Sequence, residues 1–416
     1  MFWPARRTAF LAIAIAACMA VFLDNAFAEG RPQWGVLAYL SGQGGLEREA
    51  AAYWQAALKA ADAGCCVAGV QVDGPHVCAR WLAAPGTRPG WQPRGMVNMG
   101  AEATLTEFLV WAYRHVVADR YLLIVMGHGT GLATLAPAQS GVAYDGGAGD
   151  TLTIAELSGA LSGVRCRGGR LELVSLEACY AASVEVAYAL RQTADYLVAS
   201  PGRVASPGLP WSQVLPELEH CGDGQAVIAA LDAAHSSALA GVELRRVGEV
   251  AEILSALAAE AQSDLETNAP ALRLVRSRTP NWGYRDEMCD LLYLADALGE
   301  MAATTEVARQ AGRLAEALEH AILPPAGRQR ANASAGDSGR IGKLGVFFPA
   351  TWEPVPVSYR SSYRLADETG WADLLQACYE LSRRRLIGVQ DPFLVGDVAG
   401  LPGVRAVGRS IWPSTE

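Results

Sequence analysis

After residue 28, no stretch of this 416-residue chain has the length and apolarity of a membrane span, so an integral membrane segment is not expected in the mature protein. No cysteine or histidine spacing matches a zinc site, and six scattered histidines do not supply one. Basic residues are outnumbered: 34 Lys and Arg stand against 43 Asp and Glu, a net charge of -9, which argues against nucleic acid as a partner. Internal repeats are lacking as well, so the chain does not read as a repeat array. Charged residues make up 19% and hydrophobic ones 51%, and a core of that size needs no disulfides to be stable.

What is present begins with a leader. Arg6 and Arg7 precede an apolar run from Ala9 to Leu23, and Ala26-Phe27-Ala28 before Glu29 has the small-x-small form that a signal peptidase accepts. Residues 1–28 therefore read as a signal peptide, and the protein as exported to the periplasm or beyond. Removing them takes away Arg6, Arg7 and Asp24, a net +1, and leaves -10. Ile15-Ala16-Ala17-Cys18 resembles a weak lipobox, so lipid anchoring at Cys18 is a minor alternative, and Arg6-Arg7 hints at twin-arginine export. Eight cysteines follow the leader; Cys65, Cys66, Cys78 and Cys166 are candidate bridge partners whose connectivity spacing alone does not give.

Short apolar runs then alternate with helical stretches. Trp34 to Leu40, Cys66 to Val72, Tyr121 to Met126, Leu171 to Leu176 and Tyr196 to Ala199 read as strands buried on both faces. Helices are expected at Leu46 to Ala63, Ala101 to Val117, Ile154 to Leu161 and Tyr180 to Thr193, an alternation that implies a parallel α/β sheet with crossover helices. The expected division is a catalytic domain over 29–222 and a mostly helical region over 223–416. That region carries an exposed loop from Pro324 to Gly342, a late strand at 344–348 and a helix around Trp371 to Ser382.

Two of the strands end in reactive side chains: Tyr121-Leu-Leu-Ile-Val-Met-Gly127-His128-Gly129 and Leu171-Glu-Leu-Val-Ser-Leu-Glu177-Ala178-Cys179. In an open parallel sheet those ends face the ligand crevice, so His128 and Cys179 can meet there as nucleophile and base. With Glu185 six residues after Cys179, these segments resemble the clostripain family of cysteine peptidases, which share a caspase-like fold. The resemblance extends to Trp34-Gly-Val-Leu-Ala-Tyr39, Asn98-Met99-Gly100 with Thr104-Leu-Thr-Glu-Phe108, and Val142-Ala-Tyr-Asp145 through Leu152-Thr-Ile-Ala-Glu-Leu157. It continues in Tyr196-Leu-Val-Ala-Ser200 with Gly208-Leu-Pro-Trp211, and in Gly345-Val-Phe-Phe-Pro349.

The resemblance implies a mostly parallel sheet sandwiched by helices, with Cys179 as nucleophile and His128 as acid and base. It also implies an oxyanion site at the amides of Gly129 and Cys179, and peptide or protein substrates. A helix starting near Tyr180 would place its positive end beside the thiol. Glu177 stands where relatives have Asp lining the primary pocket, which implies cleavage after Arg or Lys; on a strand, period two points Glu177 and Cys179 to one face. Its plainer role is to complement the following helix terminus. Ser200 and Trp211 are the other substrate-binding candidates, while Glu185 is assigned no chemical role, and Cys65, Cys66, Cys166, Cys221, Cys289 and Cys378 read as buried thiols.

The chain departs from the family in places. Pro201-Gly202 replaces an acidic residue after Ser200, and Gly42-Gln43-Gly44-Gly45 replaces an Asp-Asn pair before Leu46-Glu47. Between Arg120 and Arg165 there is no Arg or Lys, which excludes the basic-directed self-cleavage some relatives perform there, and Arg328, Arg330, Arg340 and Lys343 offer a more accessible target. Some relatives need calcium, so calcium stays open as a cofactor here; Asp145 and Asp150 in a Gly-rich loop offer oxygen ligands, but two carboxylates by themselves are not a calcium site and no EF-hand spacing is present. The expected activity is thus an exported cysteine endopeptidase cleaving after basic residues. Two other readings stay open: a caspase-fold scaffold that keeps the dyad unused, and a peptidase of non-basic preference.

Overall fold

The first strand, β1 (Trp34–Ser41), is buried at every position, and its side chains alternate between two cores. Leu37 and Tyr39 face one, and Trp34, Val36, Ala38 and Leu40 the other, as expected for a parallel strand covered by helices on both faces. The computed structural model describes residues 32–74, 78–132, 141–165, 171–235, 239–282, 287–323 and 342–388. The expected leader with Cys18, the thiol of Cys166 and residues 324–341, with Arg328, Arg330 and Arg340, lie outside the described residues.

The main sheet has nine strands. With β1 they are β2 (Val67–Asp73), β3 (Cys78–Ala83), β4 (Gly90–Gly95), β5 (Arg120–Met126), β8 (Leu171–Glu177), β9 (Ala194–Ala199), β10 (Ala240–Glu243) and β13 (Ile322–Leu323). A separate hairpin pairs β6 (Tyr144–Asp145) with β7 (Asp150–Thr151). Across the sheet the order is β13-β10-β9-β8-β5-β1-β2-β3-β4. The five strands from β9 to β2 run parallel, and antiparallel strands close both edges. Because β10 and β13 follow residue 222, the sheet draws on both sides of the boundary expected there.

The helices are α1 (Glu47–Asp62), α2 (Glu102–His115), α3 (Ile154–Arg165), α4 (Val184–Leu190), α5 (Trp211–Val214), α6 (Gly224–Ala234), α7 (Val247–Ser263), α8 (Leu265–Arg278), α9 (Leu291–Met301), α10 (Thr305–Ala321), α11 (Val357–Ser362), α12 (Arg364–Glu368) and α13 (Trp371–Gly388). Side chains of α1, α5 and α6 cover one face; α2 to α4 and the later helices cover the other.

Two departures from expectation bear on the active site. Helix α4 does not start near Tyr180: that residue has φ 60°, outside the helical region, and the helix begins at Val184 under a cap in which Ser183 Oγ accepts from Val186 N at 3.2 Å. The late strand, β14 (Gly345–Phe347), joins β12 (Met288–Asp290) and β11 (Asn281–Trp282) in a second, three-stranded sheet. It docks on the main body through Gly345 N, which donates to Ala182 O at 3.0 Å, and through a parallel bridge between Ser183 and Gly345.

Strand order fixes where a ligand can sit. The chain steps outward from β1 to β2 on one side and from β5 to β8 and β9 on the other, so the order reverses between β1 and β5. The carboxyl ends are nearly level: Leu40 pairs with Met126, Met126 with Glu177, and Leu176 with Ala199. Loops after β1, β5, β8 and β9 therefore surround one crevice.

Candidate active site

His128 and Cys179 each lie two residues beyond the paired ends of adjacent strands, Met126 of β5 and Glu177 of β8. Pairing continues one step, Gly127 N donating to Glu177 O at 3.3 Å. Glycine lets the two loops touch. A Cβ on Gly129 would stand 2.7 Å from Ala178 Cβ, and one on Gly131, which also has φ +66°, 2.7 Å from Tyr180 Cβ.

The Cys179 loop is pinned on both sides. Tyr180 N donates to Gly202 O at 2.8 Å and Ala182 N to Ser200 O at 3.0 Å, while β14 holds Ala182 O from the other direction. Tyr180 occupies the left-handed region, a strained conformation for a bulky residue that such pinning sustains. Half-buried Cys179 accepts from Val204 N through Sγ at 3.4 Å. Among the described residues, the amides of Gly129 and Cys179 donate to no protein acceptor, which leaves both available to an oxyanion. With α4 starting at Val184, Cys179 lies before its first turn, where the field of a helix terminus has faded.

His128 is exposed, and its Nε2 lies 2.9 Å from the carbonyl oxygen of Gly44, in the loop after β1. A carbonyl only accepts, so Nε2 carries a proton and Nδ1 is the nitrogen left to exchange one. The Gly44 loop is itself anchored. Gln43 Nε2 donates to Asp73 Oδ2, Gln43 Oε1 accepts from Gly147 N at 2.8 Å, and Gly42 N donates to Asp73 O at 2.8 Å. Burial pushes the Asp73 carboxyl up to about 6, with nearby Asp145 adding to the rise and Gln43 opposing it.

Glu177 is 4% exposed and ringed by donors. Oε1 accepts from Ser175 Oγ at 2.6 Å and Trp211 Nε1 at 3.0 Å, and Oε2 from Tyr53 Oη at 2.9 Å and Leu209 N at 3.4 Å. Burial raises its carboxyl, and these donors draw it back. Since β8 ends at Glu177, strand alternation does not extend to Cys179, and the one-face argument no longer links them. Trp211 is fully buried on α5, and Ser200 is buried with Oγ accepting from Gly202 N at 3.3 Å. Burial and the neighbouring Cys179 raise the Tyr180 phenol, and exposed Arg203 opposes them.

The carboxylates considered for calcium are engaged elsewhere. Asp145 accepts from Ala148 N at 2.9 Å and Met99 N at 2.8 Å, and Asp150 from Asn98 Nδ2 at 2.7 Å and Thr151 N at 2.9 Å. They brace the β6–β7 hairpin, and no group of three or more His, Cys, Asp or Glu side chains that could hold a metal occurs among the described residues. Cys65, Cys66, Cys78, Cys221, Cys289 and Cys378 are buried free thiols. Of the expected bridge partners, the three described ones are therefore unpaired. No local pattern reveals the contacts of Gln43, Tyr53 and Asp73, because their partners are distant in sequence. The Gly-Gln-Gly-Gly departure was the one signal pointing at Gln43.

A parallel-centred sheet presenting a cysteine and a histidine at adjacent strand ends defines a cysteine peptidase of caspase-like fold. The sequence profile of the clostripain family matches residues 93–307, just over half of the chain, and the chain belongs to that family. Solved structures agree on the fold. A secreted C11 cysteine protease from Bacteroides thetaiotaomicron, in complex with an irreversible peptide inhibitor, superposes with a TM-score of 0.62 at 16% identity, covering 82% of this chain and 99% of its own. An inactive zymogen C11 protease from Parabacteroides distasonis gives 0.58 at 17% identity, covering 82% and 98%. A secreted Bacteroides thetaiotaomicron C11 protease called iotapain gives 0.58 at 14% identity, covering 84% and 99%. No curated protein matches the chain.

Proposed function

We propose that this cysteine peptidase is an exported endopeptidase in which Cys179 and His128 form the catalytic pair. The Cys179 thiolate attacks the scissile carbonyl carbon, and the oxyanion accepts from the amides of Gly129 and Cys179. His128 Nδ1, having taken the Cys179 thiol proton, gives it to the departing amine, leaving a thioester on Cys179; Nδ1 then takes a proton from the water that hydrolyses the thioester and releases the Cys179 thiolate. The observation that carries this reading is the level pairing of β5 with β8, from whose ends both side chains depart. Export rests on the leader-like residues 1–28; among the described residues no helix is long and apolar enough to cross a membrane.

For specificity, the family resemblance supports cleavage after Arg or Lys, with Glu177 as the anion felt by the substrate cation. The four donors around it stabilise the ionised form, and a buried charge acts strongly at short range. Those same donors favour a second reading, a pocket of non-basic preference. A substrate guanidinium would have to displace Trp211 or Tyr53 to bind Glu177 bidentately, and Arg203 adds a repelling charge beside Tyr180.

Cys179→Ala in the mature protein is expected to abolish turnover with the fold intact, and His128→Ala to reduce it nearly as far. Substantial activity in Cys179→Ala refutes the nucleophile assignment. Cleavage-site profiling on a peptide library separates the two specificities: Arg and Lys before the cut support the first, and their depletion there supports the second.

A further inference from the structure

His128 is poorly restrained by its own segment. It is exposed at a strand end between Gly127 and Gly129, and the bond that orients its ring is the one from Nε2 to the Gly44 carbonyl at 2.9 Å. That carbonyl sits in the loosest kind of backbone. Gly42, Gly44 and Gly45 surround a single side chain, and Gly44 and Gly45 adopt φ of +72° and +95°. Gly44 also needs its small size, since a Cβ there would lie 3.1 Å from His128 Cδ2 and Nε2. Left to itself, such a run would let the carbonyl wander, and the imidazole with it.

Gln43 is the one residue in the run with a side chain, and both ends of its amide are held. Nε2 donates to Asp73 at the end of β2, and Oε1 accepts from Gly147 N in the turn between β6 and β7. That turn is itself fastened, with both Asp145 oxygens accepting from backbone amides and Tyr144 N donating to His128 O at 3.3 Å. The clamp spans the position where the strand order reverses, between β1 and β5, and so ties the loop after β1 to the histidine after β5.

We propose that Gln43 is a positioning residue for His128: clamped between Asp73 and Gly147, it fixes the Gly44 carbonyl against Nε2 and so keeps Nδ1 as the nitrogen that transfers the proton. The inference rests on His128 being the acid and base. It explains why a glutamine stands in this Gly-rich loop, where the family has an Asp-Asn pair.

The test compares Gln43→Met, which keeps length and removes both polar contacts, with wild type, His128→Ala and the double variant. Turnover number should fall about tenfold in Gln43→Met with KM changed less than about twofold, the pattern of lost alignment. The pH profile of Cys179 alkylation by iodoacetamide should move toward that of His128→Ala. In the His128→Ala background, adding Gln43→Met should change the alkylation rate no further. A turnover number within about twofold of wild type overturns the proposal, as does an undiminished effect of Gln43→Met in the His128→Ala background.

A second pair of variants answers the same question if Gln43→Met does not fold. Gln43→Glu faces Asp73 with a like charge and should be slow; combining it with Asp73→Asn trades donor for acceptor and should restore turnover to within about threefold of wild type. Failure of that rescue, with both proteins folded, counts against the clamp. Cys179→Ala and His128→Ala run alongside. If they keep activity, the catalytic reading itself has failed; if they lose it and the Gln43 variants do not, this inference alone has.

Discussion

Two glutamates bracket Cys179, Glu177 before it and Glu185 after it, and both are buried. Burial pushes both carboxyls above the ordinary 4.5, yet their surroundings differ. Glu177 accepts from four donors spread over α1, β8 and the stretch around α5. Glu185 accepts on Oε1 alone, from Phe347 N at 2.8 Å and Tyr359 Oη at 2.9 Å; Oε2 has no hydrogen-bond partner, although Ser183 and its own amide lie near enough to draw the carboxyl down. Burial and hydrogen-bond donors thus oppose each other at both acids, through different sets of partners. Glu177 sits among donors at the end of β8 beside the crevice, whereas Glu185 serves as a joint between α4 and the last strand through Phe347 N.

The largest difference should appear on truncation. In the Cys179→Ala background, Glu177→Ala leaves Ser175 Oγ, Trp211 Nε1 and Tyr53 Oη without their acceptor and should cost about 4 kcal/mol of unfolding free energy, against about 2 kcal/mol for Glu185→Ala. Denaturant titration of the two variants measures both, and the reverse ranking would break the comparison. Charge removal should separate them next. With the first specificity reading, Glu177→Gln loses about 2 kcal/mol, roughly thirtyfold, in kcat/KM on Arg and Lys substrates and little on uncharged ones, while Glu185→Gln stays within about 1 kcal/mol on all. Equal losses on charged and uncharged substrates would remove Glu177 from the pocket.

Stability against pH sharpens the contrast further. Both carboxyls bind protons more tightly folded than unfolded, so their contribution is fully present below about 4.5 and is lost as pH rises above it. Glu185→Gln and Glu177→Gln should each flatten this decline, read from unfolding free energies at stepped pH. The smallest effects should come from single hydroxyls. Tyr359→Phe and Tyr53→Phe should each cost about 1 kcal/mol or less, with Tyr53→Phe the milder because three donors remain on Glu177.

Much of the fold was legible because β1, β5 and β8 are apolar runs buried on both faces. The β3–β4 hairpin was not: Gly90–Gly95 is mostly exposed, carries Pro93 and has no alternation to read. The start of α4 was misplaced because small apolar residues continue past Cys179 without a break. Ser183 was the visible cap signal, and the left-handed Tyr180 left no mark in the sequence. At the site, His128 and Cys179 stood out because each ends an apolar strand. The donors around Glu177 did not, since Tyr53 lies 124 residues from it in the chain and Trp211 is 34 away.

The docking of Gly345 on Ala182 also orders events during synthesis. The Cys179 loop receives its last backbone partner from a strand made more than 160 residues after it, when the nine strands of the main sheet have all been translated. A growing chain can thus complete its sheet while the loop bearing Cys179 still lacks the support of β14. If Cys179 and His128 are the catalytic pair, competence follows the synthesis of β14 rather than their own, so a ribosome-bound fragment that carries both but stops before Gly345 should be a poor peptidase.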